Sequence, residues 1–264
     1  MFAFPRILSA LLTGVLILVM IASSAAPARA SFTFEDEQKL GKEFYEKLET
    51  NKLLIHDPRV ERYISDIGNR IVKQSPASIF EFRFSVIDSS AINAFATPGG
   101  YVYLNRGLIT LVEDESELAG VLAHEIAHVN SRHIADIIAK SQKVSIATVA
   151  AVLAGAFLGG GGDLSAAVTS FSVAAGTSMN LRYSRQHEEE ADRIGMAYLA
   201  DTGYDPKGML DFLRIMRRYQ FYSNSIPSYF LTHPGTDERI RYLDGLLQTT
   251  HTRKGRESIL GNLK

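Results

Sequence analysis

Residues 121–129 read VLAHEIAHV, which sets three ionisable side chains inside a run that is otherwise apolar. A helix over this run would bury two imidazoles and a carboxylate, and buried polar groups need partners or a metal to offset their desolvation. The fold must therefore converge other polar groups on this helix. At helical spacing His124 and His128 lie one turn apart and face the same way, so both rings can reach one metal ion with Glu125 beside them. Leu118, Val121, Leu122, Ile126 and Val129 argue for burial and against an open, solvated face.

A zinc ion that catalyses needs a third protein ligand and an open fourth position. The chain has no Cys, so that ligand is His, Asp or Glu. About sixty residues on comes YSRQHEEEADRIG, a second helix start dense in carboxylates. Glu188 and Asp192 are four residues apart on one helix face, where the first can bind metal and the second can accept the free N–H of a ligating imidazole. Glu189 and Glu190 have no Asp four residues on and are weaker choices.

The pair HEIAH and EEEAD, preceded by INAFATPGGYVYLNRGL and followed by THPGTDER, resembles the gluzincin peptidases of the HtpX, BepA and CAAX prenyl protease type, over roughly Asp57 to Leu246. The resemblance implies a zinc metalloendopeptidase with one zinc per chain held by His124, His128 and Glu188, Glu125 as general base, and Asp192 orienting His124. It places Asn93 and Ala94 on the sheet edge that holds a substrate strand. It also brings His233 and Arg239 close to the active site. His233 then either supports the oxyanion or closes onto the zinc as a fourth ligand, and Arg239 holds substrate or orients His233. By the same analogy the substrates are protein or peptide chains, unfolded or misassembled in the cell envelope. The competing class is a chaperone-like or latent assembly factor whose zinc site is kept closed. The sequence leaves the natural substrates and the oligomeric state open.

The chain starts with one positive charge, an apolar stretch from Ile7 to Ile21, and small residues ending Ala28-Arg29-Ala30 before Ser31. These are the three parts of a secretory signal peptide, giving a signal over residues 1–30 and a single peptidase domain over 31–264 in a bacterial periplasm. The alternative is an uncleaved anchor in the inner membrane. Cleavage removes Arg6 and Arg29 and leaves 26 Lys and Arg against 29 Asp and Glu, a formal charge of −3, which gives no footprint for nucleic acid. A chain without Cys also avoids wrong disulfides in an oxidising compartment.

The remaining pattern predicts an α+β, zincin-like fold, a small antiparallel sheet over the His-bearing helix with a mostly helical second half. Thr33 caps a helix from Phe34 to about Glu49, and Asp57-Pro58 opens another in which Val60, Ile64, Ile67 and Ile71 recur at helical spacing. Phe80, Phe82, Phe84 and Val86 alternate as a strand does, and Pro98-Gly99-Gly100 joins two strands into a hairpin. Asp114 and Glu117 form a capping box for the active-site helix. Val144 to Leu158 and Leu164 to Met179 are uncharged arms about Gly159–Gly162, and each is short for the roughly 30 Å of hydrocarbon in a bilayer. They read as a core or substrate-covering hairpin, with peripheral membrane contact through 144–179 as the alternative. Of the other histidines, His133 is expected to cap or pack at a helix end, and His56 and His251 to lie on the surface.

Cleavage after Ala30 predicts a mature N-terminus at Ser31, which N-terminal sequencing of the exported protein reads directly; finding residues 1–30 still attached would favour the anchor.

Overall fold

The helix starts follow from their caps. Thr33 and Asp36 form a reciprocal capping box that opens α1 (Phe34–Thr50). Asp57 accepts from Arg59 N, with Pro58 in the first turn of α2 (Pro58–Gln74). Then come β1 (Arg83–Ile87), β2 (Ala94–Thr97), β3 (Tyr101–Asn105), α3 (Arg106–Leu111), α4 (Glu115–Asn130), α5 (His133–Lys140), α6 (Ile146–Leu158), α7 (Arg185–Thr202), α8 (Lys207–Ser223), α9 (Ser228–Thr232) and α10 (Thr236–Thr249). The computed structural model describes residues 32–76, 78–140, 145–158, 182–223 and 226–250. The expected signal segment, the second arm of the hairpin with its Gly159–Gly162 turn, and His251 lie outside the described residues. These described residues all fall in one compact unit.

The three strands pair in the order β1-β3-β2. β2 and β3 form the expected antiparallel hairpin through Pro98-Gly99-Gly100, with both glycines at φ near +90°, where a side chain would be strained. The sheet as a whole is mixed and not antiparallel, because β1 runs parallel to β3 from Arg83↔Tyr101 to Ile87↔Asn105. The cause is the connection at residues 88–93. It carries the chain past the neighbouring position instead of turning tightly back, and β3 returns into the gap between β1 and β2. The free side of β1 is taken by the segment before α2, through Ile55 N–H to Val86 O at 2.8 Å and Asp88 N–H to Leu53 O at 2.9 Å.

Strand alternation then sorts side chains between two cores. Phe84, Val86, Ala94, Ala96, Val102 and Leu104 join α2, α4, α7 and α8 in the main core. Ile87, Phe95 and Tyr103 face the other way, into a second cluster with Leu40, Phe44 and Leu48 of α1, Ile134 and Ile138 of α5, and Val149, Leu153 and Phe157 of α6. Phe80 and Phe82 precede the strand and still pack on the main core, so the alternation outruns the ladder that carries it.

α4 opens on the Asp114 and Glu117 capping box, and every residue from Ser116 to Val129 is buried. A helix apolar nearly all round belongs inside a domain. α8 can approach it closely because Gly208 has no side chain: a Cβ there would lie 2.3 Å from Ser116 O. Among the described residues no helix is long and apolar enough to cross a membrane.

Candidate metal centre

α4 delivers His124, Glu125 and His128 from one face into the middle of the main core, with the histidines 1 and 2 % exposed and Glu125 fully covered. α7 crosses α4 there. Ser184 caps it, and its first turns carry Glu188 and, one turn on, Asp192, both buried. The third contribution comes from the end of α9, where His233 is fully buried with its ring stacked on Tyr229 at 4.3 Å.

Four donor groups converge: His124, His128, Glu188 and His233 each offer an atom, all within 4.8 Å of one another. His124 Nε2 is 2.9 Å from His128 Nε2 and 3.4 Å from Glu188 Oε2. His128 Nε2 is 3.6 Å from Glu188 Oε1. His233 Nδ1 is 3.4 Å from His124 Nε2 and 3.2 Å from Glu188 Oε1. A tetrahedral ion with ligand bonds of about 2.0–2.1 Å separates its donors by about 3.3 Å, so these spacings fit a zinc-sized cation bound by imidazole and carboxylate. Glu125 stands beside the donors without joining them. Both of its carboxylate oxygens lack a hydrogen-bond partner, and Oε1 faces His233 Nε2, also unpartnered, across 3.6 Å.

Behind the donors lies a buried charge network. His124 Nδ1 meets Asp192 Oδ1 at 2.9 Å, the orienting contact that the helix spacing suggested. Arg239, on the first turns of α10, grips Asp192 with two hydrogen bonds of 2.8 and 2.7 Å and pairs with Glu188 Oε2 at 2.6 Å. Arg239, expected to hold substrate or orient His233, has its described contacts to Asp192, Glu188 and His124 Nδ1. Its guanidinium points at the two carboxylates of α7, which present parallel acceptors one turn apart. Of the three consecutive glutamates only Glu188 turns inward; Glu190 is half exposed and reaches back to His133.

These contacts set the protonation of the metal-free cluster. Burial opposes charge on Glu188, yet Arg239 ahead of His233 and His124 holds it well below the usual carboxylate range. Asp192 is lowered in the same way, against its burial, by Arg239 and His124. Burial and Arg239 work against a proton on His124, but hydrogen bonds to Asp192 and Glu188 prevail and raise it to about 9. Burial, and then the charge on His124, pushes His128 well below its ordinary value. Burial raises Glu125, as suits a group that must take up and return a proton near neutrality.

Asn93 and Ala94 sit at the start of edge strand β2, but both are fully buried. Asn93 Nδ2 donates to Phe157 O at 3.0 Å, and Phe95 stacks on Phe157 at 4.5 Å, so the end of α6 lies against the segment expected to hold substrate. Two contributors carry no motif in the sequence. Tyr183 stacks on His128 at 3.8 Å, and His133, expected only to cap or pack, puts Nδ1 2.7 Å from His128 Nδ1. The spacing from His128 to His133 was visible, but a turn separates the two helices and no periodic rule reaches across it. His56 is exposed as expected, between Glu49 and Glu61.

Residues 58–247 match peptidase family M48. Over 214 residues the chain is 33 % identical to the beta-barrel assembly-enhancing protease of Escherichia coli K12, and equally to that of Yersinia pestis, which covers 81 % of this chain and 44 % of each relative. It is also 31 % identical over 192 residues to the mitochondrial metalloendopeptidase OMA1 of Schizosaccharomyces pombe, covering 73 % of this chain and 54 % of that one. The chain thus spans less than half the length of the bacterial relatives.

Replacing Arg239 leaves two buried carboxylates without their cation, so Arg239→Met is expected to destabilise the metal-free protein by about 3–5 kcal/mol at pH 7. Because Glu188 and Asp192 are depressed in the fold, what Arg239 contributes is complete above the ordinary carboxylate range of about pH 4 and is lost as pH falls through the lowered native values. Denaturant titrations of wild type and variant should therefore converge on acidification; a gap independent of pH would assign Arg239 a packing role only.

Proposed function

The chain belongs to peptidase family M48, and from that membership we propose that it is a zinc-dependent metalloendopeptidase in which His124, His128 and Glu188 hold one zinc and Glu125 is the general base. The observation that carries this reading is the pairing of a closely spaced donor set with a buried carboxylate that makes no hydrogen bond of its own. A purely structural site has no need of a base beside it. When bound, zinc would supply Lewis acidity and stabilise negative charge developing on the scissile carbonyl. Glu125 accepts the proton of the attacking water and returns it to the leaving amine. Asp192 keeps His124 in one tautomer and orientation, and Arg239 keeps Asp192 and Glu188 ionised.

His233 supports a second, compatible reading, a resting enzyme with a closed site. Its Nδ1 stands in the donor set at the place a water or substrate oxygen would need. In the working enzyme the same ring, moved off the donors, is available as a hydrogen-bond donor to the oxyanion. We read α6 as part of the same latency, since it lies against β2 where a substrate strand would add. The bacterial relatives are named as beta-barrel assembly-enhancing proteases, which supports a role for this chain in envelope protein assembly or quality control. Unfolded or misassembled proteins as substrates, and export over the signal segment, belong to the same proposal.

Two variants separate metal binding from chemistry. His128→Ala should leave little bound zinc by elemental analysis, whereas Glu125→Gln should keep zinc and fold but lose cleavage of an unfolded protein by orders of magnitude. Activity within a few fold of wild type in Glu125→Gln would remove Glu125 from the mechanism.

Since the chain has no Cys, one engineered pair joining α6 to α1 forms a single unambiguous disulfide. The oxidised form is expected to stop cleaving protein substrates at unchanged zinc content and to recover on reduction; cleavage unaffected by the lock would make α6 ordinary core.

A further inference from the structure

His128 presents one ring nitrogen to the donor set and turns the other away. Nε2 lies among the donors, and Nδ1 lies 2.7 Å from Nδ1 of His133, both rings being buried. His124 is backed differently, by the carboxylate of Asp192. A ligating imidazole commonly gives its free N–H to a carboxylate, a carbonyl or water, which fixes its tautomer and aim. We propose that His133 is the positioning residue for His128, backing it through a ring-to-ring hydrogen bond where His124 has a carboxylate.

The proton count allows only one direction. With Nε2 given to a metal, His128 keeps its proton on Nδ1 and donates it to His133 Nδ1, which must then be bare. The remaining proton of His133 sits on Nε2, facing Glu190 Oε2 at 3.5 Å. The relay therefore runs from ligand to imidazole to a carboxylate at the surface.

The surroundings hold the His133 ring for this task. His187 stacks on it at 4.5 Å and 18°, and is itself tied to Asp136 by Nε2 to Oδ2 at 3.2 Å. His133 is aimed by an unusual corner. Arg132, between α4 and α5, has φ of +53°, a left-handed conformation costly for a residue with a side chain. Its carbonyl accepts from Asp136 N at 2.9 Å to start α5, and its guanidinium Nε donates at 2.8 Å to Glu37, a buried carboxylate of α1. A straight continuation of α4 would carry residue 133 on round the helix axis. The left-handed step turns the chain so that residue 133 comes back beneath residue 128, and strain of this kind persists where its surroundings enforce it.

The inference rests on the reading of His128 as a zinc ligand, and two variants at residue 133 test it. His133→Phe keeps a ring in the stack but offers no acceptor, and His133→Asn places an amide oxygen near the position of Nδ1. In competition with a chromophoric chelator, His133→Phe should bind zinc about 10–100-fold more weakly than wild type, with kcat reduced and KM for a peptide substrate unchanged. His133→Asn should recover most of both losses. If the phenylalanine is not accommodated, His133→Ala against His133→Asn gives the same contrast. Equal zinc affinity in wild type and His133→Phe, or equal defects in the Phe and Asn variants, would overturn the proposal and leave His133 as packing. His128→Ala measured alongside separates the two levels: zinc retained there sinks the ligand assignment itself, whereas zinc lost there but not in His133→Phe sinks only the role of His133.

Discussion

The crossing of α4 and α7 is the constraint on which everything else depends. At that crossing His124 and His128 meet Glu188 and Asp192, all four buried, which is tolerable only if the helices stand close and every charge finds its opposite. Small residues allow the approach. A Cβ on Gly195 would lie 3.1 Å from the backbone of Ala123, so the axes can settle near enough for side chains one turn apart to interlock. The sheet, α2 and α8 surround this contact with apolar side chains, and the low polarity they create both strengthens the ion pairs and makes an unpaired charge costly.

Arg239 completes that balance from a third segment. Without it two carboxylates and neutral imidazoles would face each other in an apolar interior, and the carboxylates would take up protons. With it the carboxylates stay charged, so a cation at the donors would face two anionic groups. Activation of the donors and stability of the fold are thus one electrostatic arrangement, reaching from α4 to α10.

What could be read from the chain beforehand follows from the range of the interactions. The caps at Thr33, Asp57 and Asp114 are contacts within a few residues, and the facing of His124 on His128 or of Glu188 beside Asp192 is helix geometry; all are as the spacing implies. The resemblance over Asp57 to Leu246 joined these local pieces and brought His233 to the site. The parallel pairing of β1 with β3 depends on where residues 88–93 lead, which no alternation pattern records. Arg239 could be placed near the centre but not assigned its partners, since its contacts span 47 positions to Asp192. His133 was hidden by one backbone angle, the positive φ at Arg132.

The division of the sheet into two faces has a thermodynamic consequence for α6. Val149, Leu153 and Phe157 are each at most 1 % exposed, and all three pack on the face opposite α4. Returning them to water would cost about 1.5–3 kcal/mol each, about 5–9 kcal/mol together. At about 1.4 kcal/mol per tenfold, thermal motion alone would populate such a displaced state in fewer than about one molecule in a thousand. A displacement of α6 during turnover must therefore be coupled to something that offers these three side chains new apolar cover, and an extended, unfolded chain rich in exposed hydrophobic residues is itself a cover of that kind.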